Sequence, residues 1–251
     1  MKQPTGDHQP HGRILSARNR RESARVRPLA HMELVRDDEP ELSEIQSPIL
    51  ADAVKRLVDF GGALALMIAL LPLLLIIAIA IRIDSRGPAL FAHRRLGRKG
   101  RHFDCLKFRT MTIDAEHRVF QDESLRHHYV SNHFKIPSDL DPRITRLGRF
   151  LRRSSLDELP QLWNVLKGEM ALVGPRPIVA LEATHYGDQL DALLSVRPGL
   201  TGHWAVSGRS QVGYPARVGI ELEYIRTRSL ITDLQIIVKT PWVVLTQKGA
   251  V

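Results

Sequence analysis

The hydrophobic pattern is dominated by one apolar run, which carries no charged side chain from residue 60 to residue 81. A run of this length can cross a bilayer as a single helix. Pro72 lies near its middle, where it removes a helix hydrogen bond and bends the axis. Basic segments flank both ends, although lysine and arginine are retained on the cytoplasmic side of membranes. We therefore predict a re-entrant helix that turns back at Leu71 and Pro72, with a simple spanning helix as the alternative.

Beyond this run, shorter patterns predict a domain of mixed helices and strands. LFAHRR and HFDCLKFRTM have the composition of strands, and GRKG between them is typical of a turn, which predicts a β-hairpin. Leu147, Phe150 and Leu151 recur at helical spacing and predict an amphipathic helix that faces a core or the membrane interface. The apolar segment near the C-terminus contains Pro241, and we interpret it as an interfacial helix with Trp242 near headgroup level. The expected fold class is therefore α+β.

Composition divides the chain of 251 residues into three parts. Residues 1–51 are predicted to form a basic flexible arm, because the first 30 residues hold one lysine and six arginines against two acids. Residues 52–85 contain the predicted membrane helix, and residues 86–251 are long enough to bury one core. The single cysteine, Cys105, rules out an internal disulfide and is interpreted as a buried thiol. Histidines at positions 117, 127, 128 and 133 are interpreted as surface residues, since no tight metal-ligand pattern accompanies them.

The net charge of +9 requires a polyanionic partner. Seven basic residues occur between positions 94 and 109 against one acid. Next to a membrane helix such charges can bind anionic lipid headgroups, but a nucleic acid or a diphosphate substrate would also suit them. Only Phe103 and Phe108 are interleaved with this basic run, which argues against nucleic-acid binding.

Adjacent acids at Asp157 and Glu158 are the strongest candidates for chemistry. Ser155 and Glu158 have the spacing of a capping box, which predicts that Asp157 lies in the first turn of a helix. The helix dipole would keep its carboxylate ionised and able to attack or to bind a metal. Acidic residues at a helix start usually only cap it. However, GPRP follows, with Arg176 between two prolines in an extended turn suited to a phosphate.

Three sequence motifs together carry a resemblance to a known family. SLDELPQLWNVLKGEMALVGPRP, preceded by KFRTM and followed by RPGLTGHWAVSGR, closely resembles the bacterial sugar transferases, which are also called monotopic phosphoglycosyl transferases. The resemblance extends from about residue 55 to the C-terminus. It implies a membrane enzyme that moves a hexose phosphate from a nucleoside diphosphate sugar, with uridine as the base, to polyprenyl (undecaprenyl) phosphate. Such a step initiates exopolysaccharide synthesis on the cytoplasmic face of the bacterial inner membrane.

The resemblance also implies roles for individual residues. Asp157 would form a covalent phosphosugar intermediate, and Glu158 together with Asp157 would hold Mg²⁺. Four basic residues would bind or orient the substrate phosphates: Lys107, Arg109, Arg152 and Arg176. The chain departs from the family at two positions, because it has Leu71 where a serine usually precedes the central proline and His93 where a glutamine is common.

Two alternatives from other classes stay open at this point. A basic membrane adaptor without catalysis would explain the charge but not the clustered DELPQ and GPRP segments. In a different enzyme mechanism, the acids would only bind metal and the lipid phosphate would attack the donor directly. The expected partners are a nucleotide sugar, polyprenyl phosphate and anionic lipid. A homodimer is left open, and the sequence does not identify the hexose.

Overall fold

The computed structural model describes residues 49–113, Ala115, Gln121, Glu123 and residues 141–246. The predicted arm up to residue 48 and the four histidines of the central segment lie outside the described residues. The helices are α1 (Ile49–Asp84), α2 (Arg146–Arg153), α3 (Gln161–Lys167), α4 (Leu190–Leu194), α5 (His203–Val206), α6 (Ala216–Thr227) and α7 (Leu230–Leu245). The strands are β1 (Leu90–Leu96), β2 (His102–Phe108), β3 (Ala171–Val173) and β4 (Gly199–Thr201). The 3-10 turns are Arg98–Gly100, Leu156–Glu158, Ala180–His185, Gly187–Gln189 and Arg209–Gln211.

Helix α1 has 36 residues and passes through Pro72, so one helix continues where we expected a break. Among the described residues it is the one helix that is long and apolar enough to cross a membrane. Most of its apolar side chains face outward, and Leu57 and Ile83 are 72% and 80% exposed. The structure confirms the long apolar helix that the sequence predicts.

The domain contacts both ends of α1. Near its first turns, Arg56 donates hydrogen bonds to the carbonyl oxygens of Val165 (2.6 Å) and Leu166 (2.8 Å) in α3. The last carbonyl groups of a helix lack their regular partners, so this guanidinium caps α3. At the other end of α1, Arg109 donates a hydrogen bond of 2.7 Å to the carbonyl oxygen of Ser85. Both ends of the apolar helix are therefore fixed to one domain.

The described residues form two small sheets. Strands β1 and β2 pair antiparallel with Leu90 opposite Phe108, which confirms the predicted hairpin. Strands β3 and β4 pair in parallel. Gly199 opens β4, where a Cβ would lie 2.1 Å from the backbone nitrogen of Gly174. Glycine is required there because the segment that follows β3 runs directly against β4.

Two further predictions about the core are confirmed. Helix α2 is amphipathic, since Leu151 is buried and Phe150 is 58% exposed. Its N-terminus is capped by Thr145, whose hydroxyl accepts a hydrogen bond of 2.9 Å from the N–H of Gly148. Cys105 in β2 is a free, buried thiol.

An ionic network fixes α7 to α1 and to the core. Lys55 Nζ lies 2.6 Å from Asp233 Oδ2 and 3.3 Å from Asp59 Oδ1. The hydroxyl of Tyr224 in α6 donates to Asp233 Oδ1 at 2.7 Å, and Asp59 Oδ1 accepts from the N–H of Leu172 at 3.1 Å. The outer face of α7 exposes large apolar side chains: Ile231, Leu234, Val238, Trp242 and Leu245. This face has the character of the predicted interfacial helix.

Asn164 joins α3 to β2 in the middle of the core. Its Oδ1 accepts a hydrogen bond of 3.0 Å from the N–H of Leu106. Its Nδ2 donates to the carbonyl oxygen of Asp104 at 2.8 Å and to Glu169 Oε2 at 2.7 Å. The side chain has no exposed surface, so water cannot replace these partners.

We expect Asn164→Ala to lower the free energy of unfolding by about 2 to 4 kcal/mol, because it leaves several buried polar groups unpaired. Lys167→Met on the same helix is the matched control, since it removes only a surface ion pair and should cost less than about 1 kcal/mol. Urea unfolding of the detergent-solubilised protein, followed by circular dichroism, measures both values. Equal costs would show that the Asn164 hydrogen bonds do not hold α3 to the hairpin.

Candidate active site

The acidic pair lies in the 3-10 turn Leu156–Glu158, between α2 and α3. Ser155 precedes it with a φ of 56° and makes no side-chain cap, so the predicted capping box is wrong. The Ser155 hydroxyl accepts a hydrogen bond from Arg209 instead. Helix α3 begins only at Gln161, after Pro160, because proline has no N–H and is tolerated only near a helix start.

Lys107, at the end of β2, joins the hairpin to the acidic pair. Its Nζ lies 2.6 Å from Glu158 Oε1 and 3.9 Å from Asp157 Oδ2. A guanidinium nitrogen of Arg176, from the loop after β3, lies 3.5 Å from the same Glu158 oxygen. Four residues that the sequence nominates are thus brought together by three separate elements of the fold.

The pKa values of the two acids are shifted in opposite directions. Burial, followed by the charge of Glu158, raises the pKa of Asp157 to about 6. This corrects the expectation that a helix dipole favours the ionised form of Asp157, because the residue lies in a buried 3-10 turn. Burial also acts to raise the pKa of Glu158, but the charges of Lys107 and Arg176 outweigh it and lower that pKa. These two cations therefore favour the ionised form of Glu158.

Arg152 and Arg109 were both predicted to serve the phosphates, but their surroundings differ. Arg152 donates to Thr110 Oγ1 at 2.9 Å and is near enough for its charge to lower the pKa of Asp157. It is therefore placed to orient that carboxylate. Arg109 is taken up by the end of α1, where it donates to the carbonyl oxygen of Ser85. The structure gives Arg109 a capping role and does not bring it to the acidic pair.

A cavity of about 390 Å³ opens beside the acidic pair. Its polar end includes Lys107, Glu158 and Arg176, and Asp157 borders this end without lining the cavity. The apolar end is lined by side chains from α1 and α7: Leu66, Leu70, Ile237, Val243 and Val244. The two helices with exposed apolar faces therefore also form one wall of the cavity. The side chains that line it suit a molecule with an anionic head and an apolar tail.

Sequence reasoning missed two residues of this cavity, Arg209 and Trp204. Arg209 lines it and has a φ of 54°, a strained conformation that is frequent at functional sites. One of its guanidinium nitrogens is buried without a hydrogen-bond partner among the described residues. The ring of Trp204 contacts two guanidinium groups, those of Arg176 and Arg217, at 5.1 and 4.9 Å from its centre. The available signal was RPGLTGHWAVSGR, which contains a tryptophan and an arginine after tight glycine turns.

The carboxylates of the acidic pair are the side chains that could hold a divalent metal at this site. Within the described ranges, no group of three or more His, Cys, Asp or Glu side chains could hold a metal ion. Magnesium, however, commonly takes one or two carboxylates and completes its shell with water and substrate phosphates. Asp157 and Glu158 fit that pattern. Lys107 and Arg176 both contact Glu158 Oε1, so cations that could also meet a substrate phosphate lie beside the pair.

The fold and the site together define a membrane-associated α+β protein with an acidic pair at the cationic end of a half-apolar cavity. Residues 50–247 match the family described as bacterial sugar transferase, and the chain belongs to this family.

Curated relatives have similar sequences over most of this chain. It is 43% identical over 200 residues to the UDP-galactose-lipid carrier transferase of Erwinia amylovora, which covers 78% of this chain and 41% of the relative. The undecaprenyl-phosphate galactose phosphotransferase of Salmonella typhimurium is 42% identical with the same coverage. The exopolysaccharide production protein ExoY of Sinorhizobium fredii is 40% identical over 78% of this chain and 87% of the relative. The chain thus spans about two fifths of the first two relatives and most of the third.

The raised pKa of Asp157 predicts how its reactivity depends on pH. Carbodiimides react with protonated carboxyl groups, so modification of Asp157 should fall as the pH rises through about 6. Lys107→Met removes a cation 3.9 Å away, which raises the pKa further and should move the fall to higher pH. Lys167→Met, which changes a lysine paired with Glu169, should leave the profile unchanged. Mass spectrometry of the peptide that contains Asp157 measures the modified fraction. The same profile in wild type and Lys107→Met would contradict this account.

Proposed function

We propose that this chain transfers a hexose phosphate from a nucleoside diphosphate sugar to polyprenyl phosphate, as the first step of exopolysaccharide synthesis. The observation that carries the proposal is a cavity that combines a cationic end at the acidic pair with an apolar wall from α1 and α7. The relatives' names support it, since they include an undecaprenyl-phosphate galactose phosphotransferase. Uridine as the base is proposed because one relative is named a UDP-galactose-lipid carrier transferase.

The phosphates of both substrates suit the cationic end of the cavity, and the prenyl chain of the acceptor suits the apolar end. The donor is a diphosphate and the acceptor a monophosphate, so each needs cations, which Lys107, Arg176 and Arg209 supply. The prenyl chain of the acceptor is apolar and would contact Leu70 of α1 and Val243 of α7. A non-catalytic basic adaptor would have no need for an acidic pair at the end of such a cavity.

In the proposed reaction Asp157 acts as the nucleophile. Its carboxylate oxygen attacks the sugar-side phosphorus, and the bond from that phosphorus to the bridging oxygen breaks. The nucleoside monophosphate leaves with the bonding electrons, and a phosphosugar remains on Asp157 as an acyl phosphate. An oxygen of polyprenyl phosphate then attacks the same phosphorus and displaces the Asp157 carboxylate. Because the pKa of Asp157 is raised to about 6, its attacking form predominates only above that pH.

The basic residues and the acid pair have separate tasks in this scheme. Lys107 and Arg176 offset the repulsion between the carboxylates and the incoming phosphates. Arg152, which donates to Thr110, lies near enough to Asp157 for its charge to favour the carboxylate form. Glu158 and Asp157 would hold Mg²⁺, which supplies charge neutralisation to the diphosphate when it is bound.

The covalent step predicts a trapped intermediate. Wild-type protein incubated with nucleotide sugar labelled in the hexose, without lipid acceptor, should retain label on the peptide that contains Asp157. Asp157→Asn should retain none, because an amide cannot form the acyl phosphate. Glu158→Gln, the matched change at the neighbouring position, should still label slowly, since it removes a metal ligand and not the nucleophile. Mass spectrometry of the peptide and release of label by polyprenyl phosphate provide the measurement.

Two further arms of this experiment distinguish the alternatives. Excess chelator should prevent labelling, and added Mg²⁺ should restore it; full labelling in chelator would remove the metal role of Glu158. Turnover by wild type without any adduct, or normal turnover by Asp157→Asn, would favour direct attack of the lipid phosphate on the donor.

We also propose that α1 is re-entrant and that the domain lies on the cytoplasmic face of the inner membrane. The support is that the domain contacts α1 at both ends, through Asp52, which lies 3.0 Å from Arg98, and through Ser85, which accepts from Arg109. A straight spanning helix would place these two contacts on opposite sides of the bilayer. Pro72, between them, is the position at which the helix axis can bend.

The re-entrant proposal predicts that both flanks of α1 lie on one side. Cysteines introduced by Ala30→Cys and by Lys248→Cys should both resist an impermeant maleimide in intact cells and both react in inverted vesicles. Pro72→Ala should shift part of the population to a spanning helix, so that one of the two sites becomes accessible from outside. Pro241→Ala in α7 is the control and should leave the pattern unchanged. Reaction of the two sites from opposite sides in the parent chain would contradict a re-entrant helix.

A further inference from the structure

Glu221 of α6 is a buried carboxylate that contacts Arg176, although the two are 45 residues apart. Its side chain is 1% exposed. Its Oε1 accepts a hydrogen bond of 3.3 Å from the backbone N–H of Arg176 and one of 3.0 Å from Arg217 Nε. Its Oε2 accepts a hydrogen bond of 3.0 Å from the hydroxyl of Tyr186. Hydrogen bonds from three residues therefore fix the position of this carboxylate.

The side chain of Arg176 is held by the same group of residues. The guanidinium groups of Arg176 and Arg217 both contact the ring of Trp204, at 5.1 and 4.9 Å from its centre. Arg217 in turn is paired with Glu221. The carboxylate thus acts on Arg176 twice, through its backbone N–H and through the arginine that shares its tryptophan.

Arg176 needs such support because its own side chain is 35% exposed at the cavity. A long, half-exposed side chain loses conformational entropy when it binds a phosphate, which weakens binding unless its position is set in advance. Packing alone does not explain Glu221, because an apolar residue would fill the same space without burying a charge. The use of a carboxylate is explained if one oxygen has to accept from two donors at once.

We propose that Glu221, together with Arg217, is a positioning residue that sets Arg176 for the phosphates of the donor. This inference rests on the proposed function, in which Arg176 binds the diphosphate. It assigns a task to a residue that lies outside the cavity and outside the motifs around the acidic pair.

The test is a double-mutant cycle on the binding of inorganic pyrophosphate with Mg²⁺, measured by calorimetry on the full chain in detergent. Glu221→Leu combined with Arg217→Met removes both charges together, which avoids leaving one of them unpaired in the core. This paired variant should weaken pyrophosphate binding about tenfold, as for loss of one charge-assisted contact. In an Arg176→Ala background the same pair of changes should have almost no further effect, because the residue to be positioned is gone.

Two milder variants separate positioning from stability. Glu221→Gln keeps an oxygen for the N–H of Arg176 and should restore most of the affinity. Tyr186→Phe removes the hydrogen bond to Oε2 and should weaken binding slightly, whereas Tyr224→Phe, which removes a buried hydroxyl bound to Asp233, should not. In turnover assays the loss should appear in KM for the nucleotide sugar more than in kcat.

The outcomes distinguish failure of this inference from failure of the proposed function. If wild type binds pyrophosphate and the paired change costs the same with and without Arg176, Glu221 only stabilises the fold and the inference is overturned. Affinity unchanged by the paired variant overturns it as well. If wild type binds no pyrophosphate in the presence of Mg²⁺, the proposed function fails and the inference fails with it.

Discussion

The contact between Lys107 and Glu158 is the interaction on which the site depends. Two adjacent carboxylates withdrawn from water repel each other, and burial adds a desolvation cost to each of them. The structure meets this cost with cations from separate elements: Lys107 from the hairpin, Arg176 from the loop after β3, and Arg152 from α2. Since no single segment supplies all three, the charges of the buried acidic pair are compensated only when these segments have come together.

Ionic contacts between distant segments also connect the domain to the long apolar helix α1. Lys55 of α1 bridges Asp59 and Asp233, and Asp59 accepts from the backbone of β3. Ala63 of α1 belongs to the same buried cluster as Val173 of β3. Helix α1 therefore contributes side chains to the core, although most of its apolar surface faces outward.

The sequence predicts the parts of this fold whose signals are local. The hairpin follows from strand composition around GRKG, and α2 from the spacing of Leu147 and Leu151. The turn at Asp157 could not be predicted from the sequence. A Ser-x-x-Glu spacing is typical of a capping box, but the spacing does not show that the Ser155 hydroxyl accepts a hydrogen bond from the distant Arg209 instead. The raised pKa of Asp157 depends on burial by distant segments, and the capping role of Arg109 depends on where α1 ends. These are properties of the tertiary structure, and spacing carries no information about them.

The apolar cavity wall formed by α1 and α7 determines how an acceptor lipid would reach the site. Leu70 and Val243 line the cavity from helices whose other faces are apolar and exposed. On the proposed function, the prenyl chain would stay in hydrocarbon while only its phosphate moves toward Lys107. Encounter would then be a two-dimensional search within the leaflet, so the rate would follow the surface density of the lipid and not its concentration in bulk. The part of the chain beyond the cavity would remain among neighbouring lipids, and acceptors of different lengths would be treated alike.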